Sequence, residues 1–269
     1  MKKNLSELAK YSLGIGFFML FICMYNAHTV CAESTYIVNH TVDTPCKAGG
    51  VTFVARTYQS GNIYPAKIIM KKNGEEIIIA DNANAAFITN GKVLYYSKHG
   101  TMIDKEFYRF QNTIYRYNIK SGKHTKIITG VDYTVCNCNG KYLYYGTDNG
   151  GEGIDLYAIN LKTKKKRHMA DTVGTIRISG KRVITDTNTG SVDNLPIYSF
   201  KPDGSGKKKI ADGTLLKAEN GKVIYCVWKY SNGQIPDTKC KVYQCTTKGK
   251  NKKALSGWLT GIPKKYRDW

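Results

Sequence analysis

The segment from Asn139 to Arg167, NGKYLYYGTDNGGEGIDLYAINLKTKKKR, contains a turn, an apolar strand, a polar loop, a second strand and a cationic turn, and versions of it recur along the chain. Glycines that precede a strand stand at Gly50, Gly91, Gly140, Gly180 and Gly221, separated by 41, 49, 40 and 41 residues. A period of about 40 to 50 residues with four short strands per unit is the pattern of propeller blades, each too small to bury its apolar face without a neighbour. The expected class is therefore all-β, a β-propeller of about five four-stranded blades, with four and six as the alternatives. Abundant Tyr (20) and Gly (26) beside only 6 Pro suit strands joined by tight turns.

Each unit divides into strands A to D, counted outward from the propeller axis. Strand A ends in Asn-Gly or Ser-Gly at 90–91, 139–140, 179–180 and 220–221, dipeptides that accept the positive φ of a two-residue hairpin. Strand B follows as KVLYYS, KYLYYG, KRVITD and KVIYCV, apolar enough to be covered on both faces. Strand C carries a Tyr at one fixed place, Tyr115, Tyr157, Tyr198 and Tyr243, read as packing between blades. Strand D begins with lysines, which discourage edge pairing. The blades fall near 34–82, 83–130, 131–171, 172–212 and 213–257 within a single domain, 33–269. In the first blade TYIVNHTV (35–42) is the candidate strand A, and the tail 258–269 is a candidate for closing the ring.

Residues 1–32 read as a secretory signal peptide: Lys2, Lys3 and Lys10, then a nearly unbroken apolar run from Tyr11 to Tyr25, then Val30-Cys31-Ala32 before the cut. An uncleaved anchor is the alternative, although the run falls short of the roughly 20 residues that span a bilayer. Without that segment 38 basic residues face 19 acidic ones, a net charge of +19. Such an excess favours anionic partners and says nothing about fold. Outside the cell these are wall polymers, glycans or envelope proteins; nucleic acid is not expected, nor a membrane span after cleavage.

The recurring Gly-Lys-x-Leu-Tyr-Tyr, followed by x-Leu-Tyr-x-Ile-Asn and a Lys-rich turn, resembles a family of secreted Gram-positive propellers of unknown function. That family is described by analogy to the low-density-lipoprotein-receptor-related propellers and is similar to the TolB-type repeat. The resemblance covers most of residues 50–255 and implies the architecture and an extracellular or cell-surface location. It does not imply receptor-like binding, because the Tyr-Trp-Thr-Asp tetrapeptide is absent; Leu94-Tyr95-Tyr96-Ser97 and Leu143-Tyr144-Tyr145-Gly146 stand nearest to it.

Hairpin geometry places A–B and C–D turns at one end of such a fold and B–C and D–A connections at the other. The first end gathers Lys164, Lys165, Lys166, Arg167, Lys207, Lys208, Lys209, Lys252 and Lys253, candidates for binding a polyanion, with solvated turns as the plain alternative. The second is acidic and carries aromatic residues; Phe107, Tyr108, Asp148, Glu152, Asp186, Trp228 and Tyr230 are the candidate ligand-binding set there. The functional expectation is an exported, non-catalytic binding or scaffold module of the bacterial envelope. The alternative is a glycan- or peptide-processing enzyme on the acidic face.

No catalytic residues are assigned, because His40, His99, His124 and His168 are scattered and neither G-x-S-x-G nor H-E-x-x-H occurs. No metal site or cofactor is expected, with calcium as the alternative. Two calcium-like patterns, Gly150 to Ala158 and Asp186 to Gly190, each occur once, whereas the cation wants six to eight oxygens. Of six cysteines after the leader, Cys226 with Cys240 or Cys245 is the disulfide candidate; Cys46 is a candidate partner for the last blade. Cys136 and Cys138 are expected on one side of a strand, poorly placed to bridge each other.

Overall fold

A computed structural model describes residues 36–60, 63–148, 153–188, 194–229 and 237–266. The expected signal segment and residues 149–152, 189–193 and 230–236 lie outside the described residues.

The chain begins with β1 (Ile37–Asn39), β2 (Cys46–Ala48), β3 (Val51–Thr57), β4 (Ala66–Lys72) and the 15-residue β5 (Glu75–Thr89). It continues with β6 (Val93–Lys98), β7 (Met102–Asp104), β8 (Arg109–Asn118), β9 (His124–Val131), β10 (Thr134–Cys138), β11 (Tyr142–Asp148), β12 (Ile154–Asn160) and the 14-residue β13 (Lys166–Ser179). Then come β14 (Arg182–Thr187), β15 (Pro196–Phe200), β16 (Lys208–Asp212), β17 (Thr214–Glu219), β18 (Lys222–Lys229), β19 (Asp237–Thr246) and β20 (Lys253–Thr260). Pairing is antiparallel throughout.

The two long strands each serve two units. Asn82 (φ 55°) and Thr172 (φ 51°) turn the backbone left-handed inside β5 and β13, where one meander's outer strand becomes the next one's inner strand. Asp132 (φ 51°) and Gly213 (φ 140°) hold the same place between β9 and β10 and between β16 and β17. The strands thus run as five consecutive four-stranded meanders, the architecture of propeller blades.

Strand B of the second to fifth units feeds two cores, which explains its unbroken apolar run. On β6, Leu94 and Tyr96 pack into the cluster shared with the first meander, whereas Val93 and Tyr95 pack into the cluster shared with the third. The repeated Tyr of strand C stacks on a Tyr of strand B: Tyr115 on Tyr96 at 5.7 Å, Tyr157 on Tyr145 at 5.5 Å and Tyr243 on Tyr225 at 5.7 Å. In the fourth unit Tyr198 faces Thr185 instead, and Lys207 covers its ring at 4.4 Å.

Three local expectations are corrected. Residues 35–42 do not form strand A of the first unit, because β1 adds to the inner edge of the second unit through Ile37↔Thr89 and Asn39↔Phe87; β2 takes the expected place. Nor does the start of the tail close a ring: β20 runs to Thr260 within the last meander. Ile262 and Tyr266 then cover the outer apolar cluster of that meander, where the Tyr266 hydroxyl donates to the Leu255 carbonyl at 2.9 Å. Cys136 and Cys138 lie in different clusters, because a bulge between Val135 and Asn137 reverses the alternation.

Candidate functional site

The turn end is assembled by short polar devices encoded in the repeat. Asn90 and Asn139 accept, through Oδ1, the N–H groups of Lys92 and Val93 and of Lys141 and Tyr142. The Asn that ends strand C does the same in the C–D turns: Asn118 holds Lys120 and Ser121, and Asn160 holds Lys162 and Thr163. Asp203 serves in the fourth unit, bonding Ser205 through backbone and hydroxyl, which keeps its carboxyl below the usual range.

The two kinds of turn are then tied to each other. Ile119 N–H donates to Lys92 C=O, Leu161 N–H to Lys141 C=O and Thr247 N–H to Gly221 C=O, each at 2.9–3.0 Å. Lys208 Nζ donates to the Lys248 carbonyl at 3.1 Å, joining the C–D turns of the fourth and fifth units. Lys164, Lys165, Lys166, Arg167, Lys207, Lys208, Lys209, Lys252 and Lys253 all fall on this end and are all exposed. Four are partly engaged: besides Lys208, Lys209 pairs with Asp212 at 2.7 Å, and Lys207 and Lys252 lie 4.4 and 4.8 Å over the Tyr198 and Tyr243 rings.

Sequence reasoning overlooked a second row. Lys92, Lys141, Lys181 and Lys222, one after each A–B glycine, are exposed on the same end nearer the axis. Their signal in the sequence is the repeated Gly-Lys dipeptide, which also reads as the start of strand B. The first meander stands apart, since Glu76 there takes Lys71 at 2.5 Å and Arg56 at 3.5 Å.

At the opposite end the carboxylates beside the D–A connections are committed locally. Asp81 accepts from the Tyr58 hydroxyl at 2.7 Å, Asp132 from Arg109 Nε at 2.9 Å and from Phe110 N–H at 2.7 Å, and Asp171 lies 3.0 Å from His168 Nε2. The described candidate aromatic and acidic residues are carried by different elements. Phe107 and Tyr108 sit at the tip of the β7–β8 hairpin, 70% and 42% exposed, while Asp148 is exposed at the end of β11. Trp228 is half-buried, with Nε1 donating to Thr214 at 3.1 Å and its N–H to Asn194 Oδ1 at 2.8 Å. Glu152 and Tyr230 lie outside the described residues.

Asp186 is a structural group. It is buried, and its two oxygens accept from Thr175 N–H at 2.6 Å and Leu215 N–H at 3.1 Å, tying the inner strands of the fourth and fifth units together. Both oxygens are thereby taken up by backbone. Burial, opposed by these bonds, raises its pKa to about 6. Among the described residues no group of three or more His, Cys, Asp or Glu is arranged around a metal position.

All six described cysteines are buried, and none is joined in a disulfide. Cys245 faces the cluster between the fourth and fifth units, whereas Cys226 and Cys240 share the outer cluster, so opposite faces of the sheet separate Cys226 from Cys245. Cys46 packs between the first and second units, among residues such as Phe53 and Phe87. Burial pushes the Cys226, Cys136 and Cys138 thiols up to about 12, which leaves them protonated and poor nucleophiles.

No family model matches the chain, and no curated protein matches it in sequence. Solved structures define the class as a β-propeller. The propeller domain of the Trilobed protease from Pyrococcus furiosus is 11% identical with a TM-score of 0.54, over 80% of this chain and 70% of that one. An oligogalacturonate lyase solved with manganese is 11% identical with a TM-score of 0.51, over 78% and 63% of the two chains. TolB from Acinetobacter baumannii is 12% identical with a TM-score of 0.45, over 80% and 53%, so this chain spans about half the length of that protein. Resemblance at this identity concerns the fold.

Proposed function

We propose that the protein is an exported, non-catalytic binding module of the bacterial envelope, and that its turn end holds an anionic polymer such as teichoic acid. The observation that carries this reading is the gathering of two rows of exposed lysines from four meanders on one end, with side-chain caps holding the turns at Asn90, Asn118, Asn139, Asn160 and Asp203. An exposed ion pair contributes only about 0–1 kcal/mol, so a single lysine would not retain a ligand. Many such contacts to one chain convert successive encounters into intramolecular ones and raise avidity. The enzyme alternative gains no support from the acidic end, where the D–A carboxylates are engaged within their own units.

Retention on isolated wall material is expected to be strong at low ionic strength and to fall steeply towards 0.5 M salt, because screening acts within about 10 Å at 0.1 M. Co-sedimentation across a salt series measures this. Retention that ignores salt would contradict the reading.

A further inference from the structure

The second and third meanders differ at one position. In the third, Tyr133 follows the left-handed Asp132 and folds over the stacked pair of that unit, 4.8 Å from Tyr145 and 6.5 Å from Tyr157. Its ring also occupies the space beside Gly130, where an added Cβ would lie 2.2 Å from the phenol ring. Gly130 and Tyr133 therefore act together: the glycine leaves room and the tyrosine fills it.

In the second meander the left-handed residue is Asn82, so Ala80 and Ala83 stand where Gly130 and Tyr133 stand. The register agrees, since Ala83 pairs with Lys98, two residues beyond Tyr96, and the Thr134↔Gly146 pair sets Tyr133 against Thr147, two beyond Tyr145. No tyrosine is supplied at this position. A cleft of about 310 Å³ remains, lined by Ala80, Tyr96 and Tyr115 together with Ile78, His124 and others, so the three positions that Tyr133 touches in its own unit are here walls of open space. Such a volume lies at the small end of ligand sites.

The polar groups of the cleft are also particular to this unit. Asp81 and Lys98 line it where the third unit has Val131 and Thr147, whose hydroxyl donates to the Val131 carbonyl at 2.9 Å. His124 accepts or donates at 2.9 Å with the Tyr96 hydroxyl, which fixes the inner edge, and Ile78, 58% exposed, forms an apolar outer wall.

We propose that this cleft is a binding site for a tyrosine-like aromatic ring, the external counterpart of Tyr133, with Asp81, through the carboxylate oxygen that the Tyr58 hydroxyl and Asn82 N–H do not take, and Lys98 receiving the ammonium and carboxylate of a free aromatic amino acid. The site is separate from the turn end, and neither reading depends on the other.

L-Tyrosine titrated to millimolar concentration into the full protein is expected to bind and to shift the NMR resonances of the His124 imidazole and of Tyr96 and Tyr115. N-acetyl-L-tyrosinamide, which keeps the ring and lacks both charges, is expected to bind about fivefold more weakly, the loss of exposed ion pairs. L-Alanine should not bind. The double variant Ala80→Gly/Ala83→Tyr copies the third meander's own solution and is expected to fold while losing L-tyrosine binding. Absence of shifts with L-tyrosine, undiminished binding by the folded double variant, or equal binding of L-alanine would overturn the proposal. Equal affinity for the uncharged amide would overturn the assignment of Asp81 and Lys98. The shift map on the wild-type protein decides the matter even where the double variant fails to fold.

Discussion

Asp186→Ala is expected to lower the stability of the fold by about 2–4 kcal/mol, because it strands two buried backbone donors, Thr175 N–H and Leu215 N–H, that have the Asp186 oxygens as acceptors. Those donors lie on inner strands of adjacent meanders, so the loss falls on the join between them. The same carboxyl has a pH signature. Its pKa is raised to about 6 in the fold, whereas an unfolded Asp titrates near 4. Between about pH 4 and 6 the folded chain keeps a proton that the unfolded chain has released. Its contribution to stability is thus fully present below about pH 4 and is lost as pH rises to 6, a change on the order of 2–3 kcal/mol. Urea midpoints at pH 4, 5, 6 and 7 should show a fall in the wild type that is diminished in Asp186→Ala. Equal slopes in the two proteins would mean that this group does not titrate in the window.

Gly91→Ala is expected to cost about 3–4 kcal/mol, the second large effect. Gly91 has φ 78°, and a Cβ there would lie 2.6 Å from backbone atoms of Gly49 in the neighbouring turn. The positive φ alone costs an L-residue about 1–2 kcal/mol, and the rest is backbone that must move to relieve the contact. Gly221 is the internal control: φ is 70°, yet nothing lies within 4 Å of an added Cβ. Gly221→Ala should therefore lose only about 1–2 kcal/mol. Thermal unfolding of the two variants separates conformational strain from collision, and equal losses would show that the approach of Gly49 and Gly91 is not tight.

Much of the meander was legible because its signals are local. Asn-Gly and Ser-Gly marked the A–B turns, and KVLYYS or KYLYYG marked a strand covered on both faces, as Tyr95 and Tyr96 show by packing into different clusters. What escaped notice depends on non-local pairing or on a single irregularity. The three-residue β1 carries no register of its own, and its partner, Phe87 to Thr89, lies some 50 residues away. One bulge between Val135 and Asn137 puts Cys136 and Cys138, expected on one side of the strand, into clusters on opposite sides. Asp186 looked like a loop carboxylate beside Thr-Asn-Thr-Gly, and its burial arises from Leu215, a residue of the next unit. The cleft beside Tyr96 is visible in sequence only after Ala83 and Tyr133 have been aligned by register, because each alone is an ordinary strand residue.

The central functional claim is that charge matters by its place on the turn end rather than by its total. Two variants with the same change in net charge test this: Lys164→Gln/Lys165→Gln/Lys166→Gln/Arg167→Gln on the turn end, and Lys98→Gln/Lys105→Gln/Lys229→Gln/Lys239→Gln from exposed positions toward the other end. Their affinities for isolated teichoic acid, measured side by side at 50 mM salt, are the decisive comparison. The account predicts about tenfold weaker binding for the first, from four contacts of about 0.3–0.5 kcal/mol each, and near wild-type binding for the second. Equal losses in both, or no loss in either, would contradict it.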